Sequence, residues 1–275
     1  MAQRWLAGRF RLQLDRPLVM GIVNVTPDSF SDGGQHAEPR AAIAHARALL
    51  DQGADILDIG GESSRPGSPR VSHAQEWDRI APVLREVVRW NVPVSVDTYQ
   101  PDTMRLALDM GVDIINDIHA LRVPGALDVV AASTAGICLM HMLGEPGTMQ
   151  QAPHYADVGR EVHAFLLERA QALESRGVAA SRIALDPGFG FGKTLEHNLA
   201  LAHALGELVA EGYPVLIGVS RKSMLGEMLG RRVDDRLAGS LAAALACIAS
   251  GAQIVRVHDV GPTLDAIKVW HAMRA

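Results

Sequence analysis

Three polar residues in separate segments of the chain have the chemistry needed to bind a flat nitrogen heterocycle. Asp97, Asn116 and Asp186 each end or follow a short apolar run and supply two carboxylates and one amide. Such a trio can bind the amino–amide edge of a ring such as pterin or guanine, because the N–H donors of that edge face the carboxylates. Lys222 can lie over a carbonyl or nitrogen of the same ring, and Phe191, between two glycines, can place an aromatic edge against it.

A second group of residues is suited to an anion such as phosphate or diphosphate. Arg256, His258 and Arg65, with the hydroxyls of Ser63 and Ser64, are hydrogen-bond donors near glycines or at the end of an apolar run. These donors predict a phosphorylated substrate. An ordinary polar turn explains the segment SSRPG equally well when that segment is taken alone.

Oxygen ligands for a magnesium ion cluster near the start of the chain. Asn24 ends an apolar run, and hydroxyl and carboxylate side chains follow it at Thr26, Asp28, Ser29 and Asp32. These ligands fit a Mg²⁺ ion that keeps most of its waters and bridges to a diphosphate. Because a single amide oxygen binds magnesium poorly, we expect the substrate's own oxygens to complete the site.

The elements that must position these residues repeat along the chain. A short β-branched run, then polar and glycine residues, then an amphipathic stretch is the pattern of a βα unit. Eight such runs begin at Leu18, Ala54, Val92, Val112, Ala135, Arg182, Pro214 and Ala252. They predict a single α/β domain over 1–275, a (β/α)8 TIM barrel with its active site at the C-terminal ends of the strands. The segment up to about Pro17 is expected to form a hairpin that closes the bottom of the barrel.

An open doubly wound sheet is the structural alternative, although the segment MGIVNVTPDSF lacks the glycine fingerprint that such a fold commonly carries after its first strand. The helical pattern DRLAGSLAAALACIASG is apolar almost all round. We expect it to be buried against other helices or a partner subunit.

Several of the polar residues also have a purely structural interpretation. A lone acidic residue at a strand end usually caps a helix or forms a turn, and we favour that role for Asp117 and Glu62. Phe189 is expected to plug the top of the barrel, and Ser223 begins a helical pattern whose backbone N–H can hold a carboxylate. Eight strands that all end in hydrogen-bonding residues still favour a ligand site, since each unpaired buried polar group costs up to a few kcal/mol.

Composition excludes several classes of protein. The 275 residues are 48% apolar and 21% charged, with a formal net charge of −5, so the chain is neither disordered nor basic enough to predict a nucleic-acid partner. The N-terminus lacks the apolar core of a signal peptide and no apolar run is long enough to span a bilayer, so no membrane partner is expected. Cys138 and Cys247 lie far apart in apolar runs, which predicts two buried thiols in a reducing cytoplasm.

Eight segments together resemble the dihydropteroate synthases, the folate-pathway enzymes inhibited by sulfonamides. Any one is a moderate signal, whereas all eight occur in the family's order over nearly the whole chain. They are MGIVNVTPDSFSDGG (20–34), IGGESSRPG (59–67), VSVDT (94–98), IINDI (114–118), MHMLGEPGTMQ (140–150), LDPGFGFGK (185–193), GVSRKSMLG (218–226) and RVHDV (256–260). The resemblance implies condensation of (7,8-dihydropterin-6-yl)methyl diphosphate with 4-aminobenzoate, and a homodimer.

The resemblance also implies a role for each matching residue. It places Mg²⁺ at Asn24 and the diphosphate at Ser64, Arg65, Arg256 and His258. It gives the pterin to Asp97, Asn116, Asp186 and Lys222, and the aminobenzoate to Pro66, Phe191 and Ser223. Catalysis is thereby expected from Arg256, His258, Asp97, Asp186 and Lys222.

Two positions depart from the expected pattern. The family usually has Thr where this chain has Ser64, which keeps the hydroxyl but loses the methyl that stiffens the side chain. His119 stands where we expect a smaller residue.

Two rival functions share the motifs in part: a pterin-binding methyltransferase, which needs no diphosphate clamp, and a catalytically silent binding protein.

The residue types favour a dissociative mechanism. No Ser–His or Cys–His pair is evident as an activated nucleophile, which argues against a covalent intermediate. A dihydropterin can instead stabilise a cation at its exocyclic methylene once diphosphate leaves. The protein would then neutralise the leaving group and hold the cation until the amine attacks.

Overall fold

Eight parallel strands form a ring in the part of the chain that the computed structural model describes, residues 4–26, 37–63, 68 and 70–274. The hydrogen-bonded order is β8-β7-β6-β5-β4-β3-β10-β9, and a parallel bridge between Leu185 and Val215 closes the ring. The strands are β3 (Leu18–Asn24), β4 (Ile56–Gly60), β5 (Val94–Asp97), β6 (Ile114–Asp117), β7 (Gly136–Met140), β8 (Ile183–Asp186), β9 (Leu216–Ile217) and β10 (Ile254–Val257). The predicted (β/α)8 barrel is confirmed, and the open sheet is excluded.

Helices follow the strands and cover the outside of the ring. They are α1 (Ala37–Asp51), α2 (His73–Val87), α3 (Pro101–Asp109), α4 (Ala126–Ala131), α5 (Val158–Glu174), α6 (Leu195–Ala210), α7 (Ser223–Leu229), α8 (Leu237–Ala249) and α9 (Val260–Ala272). Sequence signals set their starts: Ser72 and Gln75 form a capping box before α2, and Pro101 opens α3, where its missing N–H costs nothing.

The predicted N-terminal hairpin is present and closes the bottom of the barrel. Strands β1 (Arg4–Ala7) and β2 (Phe10–Gln13) pair antiparallel, with Trp5 opposite Leu12. Trp5 is fully buried among the inward-facing residues at the lower ends of the strands, and its indole N–H donates to the carbonyl of Arg182 at 2.9 Å. The hairpin therefore seals the ring with a large aromatic side chain.

The main core lies between the ring and the helices. The strands are buried on both faces, as parallel strands inside a layer of helices must be. Cys138 and Cys247 are both buried and unpaired, as predicted. No helix among the described residues combines the length and apolar character needed to cross a bilayer.

Helix α8 is apolar almost all round, as its sequence indicates, but only one of its faces packs within the chain. Ser240, Ala244, Cys247 and Ile248 are buried there, whereas Leu237 is 39% exposed. Three more exposed apolar side chains precede it at Met228, Leu229 and Val233. The chain alone thus leaves an apolar surface at the end of α7 and the start of α8.

Candidate active site

The C-terminal ends of the strands deliver the predicted polar residues to one cleft. Asp97 ends β5, Asn116 lies near the end of β6, Asp186 ends β8 and Arg256 lies near the end of β10. All four line the same cleft, together with Lys222, His258, Phe189 and Phe191. The structure therefore brings the heterocycle residues and two of the diphosphate residues together.

Arg256 is the centre of a buried charge network. Its Nε donates to Asp58 Oδ2 at 2.6 Å and its Nη2 to Asp97 Oδ2 at 2.7 Å. Asn116 Nδ2 also donates to Asp58 Oδ2, at 3.2 Å. Arg256 is itself predicted to bind the diphosphate. It contacts the predicted pterin residue Asp97 directly and reaches Asn116 through Asp58.

Asp58 was missed by the sequence analysis. It lies in the middle of β4, is fully buried and faces into the barrel, where it binds both Arg256 and Asn116. The available signal was a carboxylate inside the otherwise apolar run ILDIG, since a buried charge needs a partner.

Burial shifts the protonation equilibria of the groups in the cleft. It raises the pKa of Asp97, which the Arg256 guanidinium opposes and the Asp58 carboxylate reinforces. Burial also raises the pKa of Asp186 to about 6, against a hydrogen bond that its Oδ1 accepts from the Gly188 N–H at 2.7 Å. The same desolvation lowers the pKa of Lys222 to about 8, while Asp186 opposes the change.

The two phenylalanines of the glycine-rich loop have different roles. Phe189 is 1% exposed, belongs to the main core and also lines the cleft, so it is a packed side chain; its role as a plug of the barrel top stays a prediction. Phe191 packs with Met140 and Met149, and Lys222 Nζ lies 3.9 Å from the centre of its ring. This cation–π contact joins the predicted aminobenzoate residue to the predicted pterin residue.

A Ser–His pair is present, contrary to the sequence-based expectation. Ser220 Oγ lies 3.1 Å from His258 Nδ1, and it also accepts the backbone N–H of His258 at 3.2 Å. Ser220 follows β9 and His258 directly follows β10, and their separation along the chain hid the contact. The buried hydroxyl orients the imidazole by holding both its ring and its backbone.

Asn24 ends β3 at the rim of the cleft. Its Oδ1 and Asp97 Oδ2 each lie 3.9 Å from the position that a Cβ on Gly60 would take, so both oxygens border the same small space. Oxygen ligands of this kind fit Mg²⁺. Within the described residues no group of three or more His, Cys, Asp or Glu side chains could hold a metal.

The residues with a favoured structural interpretation have structural partners. Asp117 accepts the backbone N–H groups of His119 at 2.7 Å and Leu121 at 2.8 Å, so it forms a turn, as predicted. Glu62 accepts the hydroxyl of Tyr99 at 3.0 Å. The unexpected His119 packs its ring 4.5 Å from that of Tyr99, which accounts for its size.

The remaining predicted residues lie at the edge of the cleft or outside the described residues. Ser223 begins α7, as predicted, but it is exposed and does not line the cleft. Ser64, Arg65 and Pro66 lie outside the described residues, so their roles stay predictions.

Comparisons with known proteins agree with this geometry. The model of the pterin binding enzyme family matches residues 20–258. The dihydropteroate synthase of Neisseria meningitidis serogroup B is 55% identical over 276 aligned positions, which cover 98% of this chain and 97% of that protein. The chain belongs to the dihydropteroate synthases.

Solved structures of dihydropteroate synthases share the whole architecture. That of Xanthomonas albilineans with 4-aminobenzoic acid has a TM-score of 0.94 and 49% identity, covering 100% of this chain and 99% of the other. That of Burkholderia cenocepacia, complexed with 7,8-dihydropteroate, has a TM-score of 0.91 and 49% identity, covering 99% and 97%. The fold and the family of this synthase are thereby established.

Proposed function

We propose that this chain condenses (7,8-dihydropterin-6-yl)methyl diphosphate with 4-aminobenzoate to give 7,8-dihydropteroate and diphosphate. The observation that carries the proposal is the convergence of Asp97, Asn116, Asp186, Lys222 and Arg256 on one cleft. Two relatives of the same fold, crystallised with 4-aminobenzoic acid and with 7,8-dihydropteroate, support the choice of substrates.

The pterin ring is bound by Asp97, Asn116, Asp186 and Lys222. The two carboxylates accept the N–H donors of the ring's amino–amide edge, and the Asn116 amide can both donate and accept. Lys222 carries a positive charge at neutral pH, since its lowered pKa is still about 8. Its ammonium group can therefore donate to a ring carbonyl or nitrogen.

The leaving diphosphate is neutralised by Arg256 and His258, with Ser64 and Arg65 from the second loop. The C–O bond between the exocyclic methylene and the diphosphate breaks first, and its electron pair leaves with the diphosphate. Arg256 contacts Asp97, so its guanidinium lies beside the proposed ring site. Fixed positive charge at that point stabilises the charge that develops on the leaving oxygen.

The aminobenzoate lies near Phe191, Pro66 and Ser223. Its amine attacks the methylene cation, a C–N bond forms, and the nitrogen gives its extra proton to solvent or to the departed diphosphate. The carboxylates Asp97 and Asp186 favour the cation, since both line the cleft in which it forms. No covalent intermediate with the protein is required.

Asn24 would hold a Mg²⁺ ion together with oxygens of the diphosphate. Bound there, the ion would supply positive charge to the leaving group. Chelation with EDTA, followed by readdition of Mg²⁺, tests this role. We expect diphosphate release to fall and recover, whereas an unchanged rate would remove the metal from the reaction.

We further propose that the chain works as a homodimer in the cytoplasm. Support for a second copy comes from four apolar side chains that are 39–48% exposed at the end of α7 and the start of α8: Met228, Leu229, Val233 and Leu237. Support for a reducing compartment comes from the two free buried thiols. Sedimentation should show that the wild type is a dimer and that Leu237→Glu is a weaker dimer. A monomeric wild type would contradict the proposed homodimer.

Measuring diphosphate release with and without 4-aminobenzoate tests the reaction. With both substrates present, we expect rapid release of diphosphate and formation of 7,8-dihydropteroate. When aminobenzoate is absent, we expect diphosphate to be released slowly. A methyltransferase or a silent binding protein would release no diphosphate. Calorimetry adds the order of binding: aminobenzoate binding equally well with and without the pterin diphosphate would contradict a cation formed before the amine attacks.

A further inference from the structure

A buried lysine holds the loop that carries Phe191. Lys193 is 3% exposed, and its ammonium group donates to the Gly188 carbonyl at 3.0 Å, the Phe191 carbonyl at 3.1 Å and His141 Nδ1 at 3.0 Å. These three acceptors use all three N–H donors of the ammonium group. The Asp186 carboxylate attracts this charge and opposes the fall in the pKa of Lys193, but among the described residues no carboxylate forms an ion pair with the lysine. The lysine is therefore bound to the backbone of the loop and to a neutral ring.

Three other side chains, the buried Asn198 and Tyr155 and the exposed Gln150, bind further polar groups of the same loop. The Gly190 carbonyl accepts Gln150 Nε2 at 2.6 Å, and its N–H donates to Asn198 Oδ1 at 2.7 Å. The Gly192 carbonyl accepts the hydroxyl of Tyr155 at 2.9 Å. The loop 187–192 is thus held through its backbone at several consecutive residues.

The loop also packs directly on the backbone that follows β7. Gly188 has a φ of +69°, and a Cβ at this position would lie 1.9 Å from the His141 carbonyl oxygen. Its N–H donates to Asp186, a residue of the cleft. A small shift of the loop would therefore move Phe191, whereas Asp186 is also held by its strand, β8.

Burying an amine away from water disfavours its charged form, and the pKa values reflect that cost. Desolvation lowers the pKa of Lys193 to about 7 and that of His141 to about 3. His141 is consequently neutral near pH 7, so its Nδ1 can accept the lysine's hydrogen bond. An apolar side chain could fill the same volume without this cost, but it would leave two loop carbonyls without a donor.

We propose that Lys193 is a positioning residue for the synthase reaction, whose ammonium group sets the 187–192 loop so that Phe191 stands against Lys222 and the ring of 4-aminobenzoate. The inference rests on the proposed function. Phe191 lies 3.9 Å from Lys222 Nζ, so a displaced ring would disturb the aminobenzoate side of the cleft first. Three of the four residues proposed for the pterin, Asp97, Asn116 and Asp186, lie in strands outside the loop, so pterin binding should change less.

The test is Lys193→Met, which keeps the length of the side chain and removes its three donors. Lys268→Met is the matched control, since Lys268 is exposed and forms a surface ion pair with Asp265 one turn away, at 3.7 Å. We expect Lys193→Met to raise the KM for 4-aminobenzoate about tenfold or more, with a change in the KM for the pterin diphosphate below about threefold. A merely structural role would lower the active fraction and leave both KM values unchanged.

Tyr155→Phe supplies a second test if Lys193→Met does not fold. It removes only the hydroxyl that binds the Gly192 carbonyl, and a smaller rise in the aminobenzoate KM is expected. Unchanged aminobenzoate KM values in a folded Lys193→Met, or in Tyr155→Phe when Lys193→Met is unfolded, would overturn the proposal. Failure of the proposed function is distinguishable, because the wild type and Lys268→Met would then form no 7,8-dihydropteroate.

Discussion

The inward-facing side chains are apolar at the lower end of the barrel and polar or charged at its upper end. The change occurs between residues that lie two positions apart on the same strand. Ile254 lies in the lower apolar cluster and Arg256 in the upper cleft of the same strand. Three further strands repeat the change, with the pairs Ile56 and Asp58, Ile114 and Asn116, and Ala184 and Asp186. Because side chains alternate in direction along a strand, each pair faces the same interior.

The comparison shows how one set of strands divides stability from chemistry. The lower layer is an apolar cluster sealed by Trp5, so its burial contributes transfer free energy to stability. The upper layer holds charges that are costly to bury and that a substrate can use. Substitutions in the two layers should therefore change different measured quantities.

The largest effect is expected in the lower layer. Trp5→Ala should lower the free energy of unfolding by roughly 3–5 kcal/mol, because it opens a cavity where a fully buried indole packs and donates to Arg182. Denaturant unfolding measures this loss. The KM values of the folded fraction should stay within about twofold of wild type; a selective loss of substrate binding would break the division between the layers.

Arg256→Ala should have the largest effect on turnover. We expect a loss of roughly 10²-fold or more in kcat, the scale seen for a single electrostatic donor in a transition state. Steady-state assays with both substrates saturating measure it. Ile254→Val, two residues earlier on the same strand, is the matched control and should keep its kcat. Turnover close to normal in Arg256→Ala would remove this residue from the mechanism.

These layers explain which features could be predicted from the sequence. The runs from Leu18 to Ala252 predict every strand of the ring, since parallel strands covered by helices must be apolar. The strand-end residues predict the cleft because all strands of a barrel end on one face. Asp58 and the Ser220–His258 pair escaped because the first lies within a strand and the second depends on neighbours in space that are distant in sequence.

Buried charge also extends beyond the cleft at the upper end. Burial raises the pKa of Glu76 on α2 to about 7, while its Oε2 accepts the Thr98 hydroxyl at 2.9 Å. Between the ordinary pKa and this raised value the folded chain binds more protons than the unfolded chain, so its stability falls as pH rises. The Glu76→Gln variant lacks this titration. The difference in free energy of unfolding between the variant and the wild type should therefore grow by roughly 2–3 kcal/mol, in favour of the variant, as the pH rises from about 4.5 to about 8.

Unfolding both proteins in denaturant across that pH range measures the gain. Glu86→Gln is a suitable control, since Glu86 lies on the same helix with an exposed side chain that binds Trp90. A constant difference between wild type and Glu76→Gln at all pH values would show that Glu76 ionises normally in the folded chain.

The smallest effect should come from Asp58→Asn, which separates charge from shape in the upper layer. An asparagine oxygen can still accept from Arg256 and Asn116, but the negative charge that holds the guanidinium is lost. A hydrogen bond to a charged group contributes about 1.5–3 kcal/mol. If the orientation of Arg256 controls the rate, we therefore expect kcat to fall by about tenfold or more. The melting temperature should fall as well, because the Arg256 guanidinium stays buried with one counter-ion fewer. Ile56→Val, two residues below, should keep a normal kcat while it loses roughly 1 kcal/mol in stability; a wild-type kcat in Asp58→Asn would make Asp58 a structural residue placed among the functional ones.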